Sequence, residues 1–352
     1  MFDSSFTPPR GRLINLSDAV GTILAHDITE IRPIEFKGPA FKKGHMVAEA
    51  DIQHLARLGK QHLYVLEIGP DMLHEDEAVL VLAQSLAGPG ATYNPNPSEG
   101  KINLVAAHDG LLKVDTTALT EFNLVEGVMC ASRHANTVVK KGEILAGTRA
   151  IPLVIEKNRV EEAADRARRV GGVFSVKPLA RPKAGLVITG GEVYTGLIKD
   201  RSAPIVSGKL KAFGCEVLEP SFAPDDADFI ARAIVDKIAA GAELIVATGG
   251  MSVDPDDVTK LGIAKAGARD IVYGSSVLPG AMLLLARIGS VPVVGVPACA
   301  IFHPRTIFDV VLPRILAGEL LGRRELAALA HGGLCLNCPS CHFPACPFGK
   351  AC

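Results

Sequence analysis

Two stretches of this sequence set paired glycines beside threonines and acids. They are Thr189-Gly-Gly-Glu-Val-Tyr-Thr-Gly-Leu-Ile-Lys-Asp and Thr248-Gly-Gly-Met-Ser-Val-Asp-Pro-Asp-Asp-Val-Thr-Lys. Each follows an apolar run, and a third polar turn, Pro297-Ala-Cys-Ala, follows another. Glycine pairs let backbone N–H groups approach an anion without side-chain obstruction, and a helix N-terminus adds favourable potential there. Carboxylates repel a phosphate directly, but they hold Mg²⁺ that bridges to it. On this chemistry Gly190, Gly191, Gly249 and Gly250 cradle an anionic group, while Thr189, Ser252 and Thr259 offer hydroxyls. Thr248 and Pro297 complete the lining, and Glu192, Asp200, Asp254, Asp256 and Asp257 are the acids for a cation. One such loop alone reads as a chain reversal with helix-capping acids. Two matching loops shift the reading towards binding.

The second concentration of chemistry is at the end of the chain. Of eight cysteines, Cys130, Cys215 and Cys299 stand in apolar surroundings and read as inert buried thiols. Cys335, Cys338, Cys341 and Cys346 are spaced C-x2-C-x2-C-x4-C-P, one residue longer than a bacterial ferredoxin run. Four soft ligands so close together hold either a [4Fe–4S] cluster or tetrahedral Zn²⁺, and the spacing favours the cluster. Cys352 is then a spare ligand or free thiol, and His342 a bystander.

The elements that must position these residues follow a clear change of rhythm. Residues 1–98 read as a mixed α/β accessory region with one helix beginning at Asp51 and a strand at Leu63, ending in a Gly-, Pro- and Asn-rich linker over 86–100. Residues 99–155 alternate short β runs with turns, and 156–182 give a charged helix and a boundary. From 183 to 330 strand, glycine turn and helix repeat, with Ala184–Thr189, Glu216–Glu219, Glu243–Thr248 and Val291–Val296 as strands. Apolar runs without alternation suit parallel strands covered on both faces. The expectation is an α/β fold with a mostly parallel sheet flanked by helices, a β-rich region before it and a cysteine-rich tail at 331–352. In such a sheet, ligands bind beyond the carboxyl ends of the strands, where the glycine loops fall.

Composition bounds the function. The 352 residues are 48% hydrophobic with a net charge of −1, which gives no bulk attraction to nucleic acid. Trp is absent and there are four Tyr, which leaves little for stacking on bases. Met1 to Arg12 lacks a basic segment followed by an apolar core, and no apolar run reaches membrane-spanning length. A cytoplasmic, membrane-free protein is expected.

In order, Thr189-Gly-Gly-Glu with Gly196 to Asp200, Thr248-Gly-Gly-Met-Ser-Val with Asp257 and Thr259-Lys260, and Gly295-Val-Pro297 resemble one family. It is the molybdopterin molybdotransferase and adenylyltransferase superfamily of molybdenum-cofactor biosynthesis. Asp18-Ala-Val-Gly-Thr-Ile-Leu-Ala-His-Asp and Phe41-Lys-Lys-Gly are similar to accessory segments of its molybdotransferase branch. The resemblance implies molybdopterin and molybdate as ligands or substrates, Mg²⁺ as a cofactor, and Glu192, Asp200 and Asp257 around the pterin phosphate and metal. It also implies a homo-oligomer with molybdoenzymes or other cofactor-assembly proteins as partners. Several family positions differ: Gly191 replaces an Asp, Ser276-Val-Leu lacks a basic residue, and Ala298-Cys-Ala replaces Gly-Asn-Pro. Two functions therefore go forward, a transferase that inserts molybdate into molybdopterin and a non-catalytic carrier or sensor with a metal-bearing tail.

Overall fold

The computed structural model describes residues 11–32, 36–66, 68–252 and 258–350. The chain opens with a three-stranded antiparallel sheet in which His62–Leu66 lies between Gly11–Asn15 and Ile23–Leu24. Strands Ile28–Arg32 and Phe36–Phe41 pair beside it, and helix Asp51–Arg57 buries Leu55 against Leu24, Leu63 and Val65.

The next unit is not built of strands alone, although residues 99–155 read as β runs and turns. Most of its strands form two sheets, a four-stranded one centred on Ile144–Ala150 and Lys101–Ala106, and a three-stranded one centred on Gly110–Val114, while Met72–His74 pairs with Val154–Glu156. Helices Glu75–Leu86, Thr116–Asn123 and Lys157–Arg168 share their core, so the boundary expected at 98 cuts through one packed body. The helix Glu75–Leu86 escaped sequence reasoning. Its Ala78, Leu82 and Leu86 recur every four residues and are fully buried. His74 caps it, Nδ1 accepting the Asp76 amide while the Glu77 carboxylate accepts the His74 amide.

The third unit carries the candidate site. Parallel strands Glu216–Val217, Lys183–Thr189, Leu244–Thr248 and Val291–Val296 lie in that order, and Ser221–Ala223 also pairs with Lys183–Thr189. Alternate residues face opposite layers. Leu186, Ile188 and Val246 meet helices Ser202–Ala212 and Ile307–Leu316, while Val187, Ile245 and Ala247 meet Ala227–Ala239. Burial on both faces explains the continuous apolar runs.

The far edge of this sheet is antiparallel, which the strand–helix alternation does not foretell. Leu284–Ile288 runs against Val291–Val296, and Arg269–Tyr273 against Leu284–Ile288. Only Gly289 and Ser290 separate Ile288 from Val291, and a two-residue turn can join only antiparallel strands. The last long helix begins at Ile307, because Thr306 and Asp309 form a capping box there. Among the described residues, no helix is long and apolar enough to cross a membrane.

Candidate functional site

From Lys183–Thr189 the chain moves outwards to Glu216–Val217, then returns to the opposite side as Leu244–Thr248. This reversal of strand order makes a switch point, and the connections leaving neighbouring strand ends part there to leave a crevice. Both glycine loops start at that point. Ile188 is paired with Thr248, so Thr189-Gly190-Gly191 and Gly249-Gly250 leave the sheet side by side.

The loops are clamped together by buried hydroxyls. Thr189, Thr248 and Thr259 are each at most 4% exposed. The Thr189 Oγ1 lies 2.8 Å from the Thr259 Oγ1 and donates to the Thr248 carbonyl at 3.3 Å. One arrangement satisfies both contacts: Thr259 donates to Thr189, and Thr189 donates onwards. The two hydroxyls expected to meet a ligand are thus spent on each other. Ser252 is exposed, and its carbonyl accepts from the Lys260 ammonium at 2.8 Å.

The second glycine pair is demanded by this close approach. Gly249 has φ +100°, and a Cβ there would fall on the Thr189 carbonyl oxygen. Gly250 has φ +49°, and its Cβ would meet the Thr259 hydroxyl at 2.7 Å. Gly190, at φ +136°, has no atom nearer than 3.8 Å to such a Cβ, so its surface is open. The Gly191 amide donates to the Asp225 carboxylate at 2.7 Å, tying the first loop to the chain before helix Ala227–Ala239.

The acids are not all available. Asp200 is half-buried, and its two carboxylate oxygens accept the Ser202 and Ala203 amides at 2.8 and 2.9 Å. From one position before the N-cap residue Arg201, it satisfies the first amides of helix Ser202–Ala212. Glu192 is exposed beside the open glycine. Asp257, with Asp254 and Asp256, lies outside the described residues. Among the described residues no group of three or more His, Cys, Asp or Glu is arranged to hold a metal ion, so Mg²⁺ finds no assembled ligand set among them.

Sequence reasoning gave no supporting role to three side chains of this loop. Lys260 stands 4.5 Å above the Tyr273 ring, and the Tyr273 hydroxyl donates to the Met251 carbonyl at 2.7 Å, so both steady the second loop. Met251 is buried with its side chain over Gly295, where a Cβ would strike it. The third motif thus supports the second from below. The position of Lys260 directly after Thr259 was the available signal. Pro297 is buried and opens a short 3₁₀ turn, Ala298–Ile301. In that turn burial pushes the Cys299 thiol up, away from the reactive thiolate.

The tail folds back onto this same end of the sheet. Leu284 pairs with Gly295 at the carboxyl end of Val291–Val296, so the loop 274–283 belongs to the crevice edge. Leu278 in that loop donates its amide to Gly333 and accepts from the Cys335 amide, both at 2.8 Å. The tail therefore lies along the segment where the family has its basic residue. Cys335 and Cys346 are half-buried, and Cys338 and Cys341 are exposed; none of the described cysteines is in a disulfide.

A fold of this kind, with two clamped glycine loops at the switch point, is an α/β domain with a candidate binding crevice. Residues 185–317 match the family model described as "Probable molybdopterin binding domain". Residues 13–67 match a family described only as a domain of unknown function. A CinA-like protein of Desulfosudis oleivorans is 36% identical over 89 residues, covering 25% of this chain and 21% of that protein. One from Mycobacterium sp. (strain MCS) is 32% identical over 90 residues, covering 26% and 21%. The chain thus spans about a fifth of the length of these curated relatives. Solved structures that are similar include CinA from Thermoplasma acidophilum, with 18% identity and TM-score 0.35, covering 39% of this chain and 98% of that one. The molybdopterin biosynthesis Mog protein from Mycobacterium ulcerans has 20% identity and TM-score 0.34, covering 39% and 97%.

Proposed function

We propose that the protein binds molybdopterin in the crevice at the carboxyl ends of Lys183–Thr189 and Leu244–Thr248, and acts in assembly of the molybdenum cofactor. The observation that carries this reading is the pair of clamped glycine loops at a switch point within the matched segment 185–317. Gly190, beside open space, and Ser252, exposed on the neighbouring loop, face the ligand's anionic end. Gly191, Gly249 and Gly250 shape that wall, while Thr189, Thr248 and Thr259 fix the distance between its two halves.

Two courses follow binding. Insertion of molybdate into the pterin dithiolene would engage Glu192 and Asp257. Carriage or sensing of the pterin without insertion is favoured by one observation: Asp200 is already engaged at both oxygens by helix amides. The ligand itself is tested by equilibrium binding of molybdopterin to the anaerobically purified chain, read by pterin fluorescence. No saturable binding would end the proposal. Asp257→Asn then separates the courses, since it keeps the side chain's size but removes its charge. An insertase loses molybdate insertion steeply with pterin affinity retained. A carrier shows no insertion in either form and equal affinity in both.

A further inference from the structure

The four cysteines of the tail have no part in the crevice chemistry above, yet they are not scattered. Cys335, Cys338, Cys341 and Cys346 all line one cavity of about 70 Å³, together with Arg305 and Phe343. The tail around them is anchored. Phe348 is 3% exposed in the main core, and Cys335, Cys346 and Phe343 pack against that core. The Gly349 amide closes the loop by donating to Gly332 at 2.9 Å, and Lys350 reaches the Thr137 hydroxyl at 2.8 Å. Arg305 lies over the Phe343 ring at 5.2 Å and pairs with Asp309 at 3.0 Å, which brings a cation to the cavity wall.

We infer that these four thiolates hold a cuboidal iron–sulfur cluster, seated on the crevice edge of the sheet domain. Three observations lead there. Four cysteines that line one small cavity of an anchored loop are a candidate ligand set, which a cluster would have to draw together because no three of them are gathered for a metal ion in this structure. The Arg305 guanidinium offsets negative charge that four thiolates would concentrate. The third observation is the spacing, since C-x2-C-x2-C followed by C-P supplies three ligand positions as in ferredoxin runs and so favours a cluster over a single zinc ion. His303 Nδ1 lies 3.3 Å from the Asn337 side chain within the tail, so the cluster loop touches the turn that follows Pro297.

This inference does not depend on the pterin, and its test reads metal alone. The full-length chain is purified anaerobically, reconstituted with ferrous iron and sulfide, and desalted. About four irons and four acid-labile sulfides per chain are expected, with a brown colour that dithionite bleaches. Cys338→Ser/Cys341→Ser changes two exposed positions and should lower iron to below about one per chain with the circular dichroism unchanged. One zinc per chain without iron, or no retained metal, would overturn the assignment. Unchanged iron in the folded double variant would do the same.

Discussion

The Thr189 and Thr259 hydroxyl oxygens lie 2.8 Å apart in a buried contact that fastens the first glycine loop to the helix after the second. The residues are 70 positions apart in sequence. Among the described residues neither hydroxyl has another side-chain partner, and Thr189 also donates to the Thr248 carbonyl. Thr189→Val leaves the Thr259 hydroxyl without its acceptor and should cost about 1–3 kcal/mol. Thr189→Val/Thr259→Val removes the pair together and should cost less than the two single changes summed. Urea unfolding of the four proteins gives the cycle; strictly additive costs would mean that the contact holds nothing.

The two glycines of the second loop should not be equivalent. At Gly249 an added Cβ meets backbone, the Thr189 carbonyl oxygen, whereas at Gly250 it meets a side-chain hydroxyl that can turn away. Gly249→Ala should therefore destabilise by about 2 kcal/mol or more, and Gly250→Ala by less. Both should weaken pterin binding, because both widen the gap between the loops. Thermal unfolding ranks them, and the opposite order would contradict the clamp geometry. Sequence reasoning alone casts a side chain at Gly250 as an obstacle to the anion. The structure adds that it strikes Thr259 first.

Asp200 holds the first helix amides in the described geometry. Asp200→Ala should cost about 1 kcal/mol through the loss of two amide acceptors at the start of helix Ser202–Ala212. Asp200→Asn keeps one acceptor and should recover much of that loss. Molybdopterin affinity, measured beside stability, should stay within twofold in Asp200→Asn. A tenfold loss of affinity without a stability change would return Asp200 to the ligand.

The contact between the middle unit and the sheet domain should be sensitive to acid. Burial pushes the Glu319 carboxyl up, but Lys113 at 2.6 Å and Arg314 at 2.9 Å outweigh it and hold the carboxyl below its usual range. A lowered folded-state pKa contributes stability above the unfolded value and loses it as pH falls through the folded one. Stability should therefore decline below the normal carboxylate range. Glu319→Gln should cost about 1–3 kcal/mol at neutral pH and flatten that acid limb. An unchanged pH–stability curve in Glu319→Gln would show that the ion pair contributes nothing to the interface.

What the sequence determined by itself was whatever repeats over a few residues. Apolar runs marked Ala184–Thr189, Glu243–Thr248 and Val291–Val296, which the structure bounds as strands Lys183–Thr189, Leu244–Thr248 and Val291–Val296, and glycine pairs follow the first two. Asp226 stands directly before the apolar stripe of helix Ala227–Ala239, a local cap signal, and its side chain accepts the Phe229 amide. Tertiary structure alone decided which groups those loops leave free. The Thr189 and Thr259 hydroxyls and the Asp200 carboxylate look equally available along the chain, and assembly consumes all three. It also drew helix Glu75–Leu86 into a core with strands on the far side of an expected boundary, and laid Cys335 against Leu278. The reason is range. Periodicity and turn chemistry are local properties, whereas a hydroxyl's partner depends on which distant strand the sheet sets beside it.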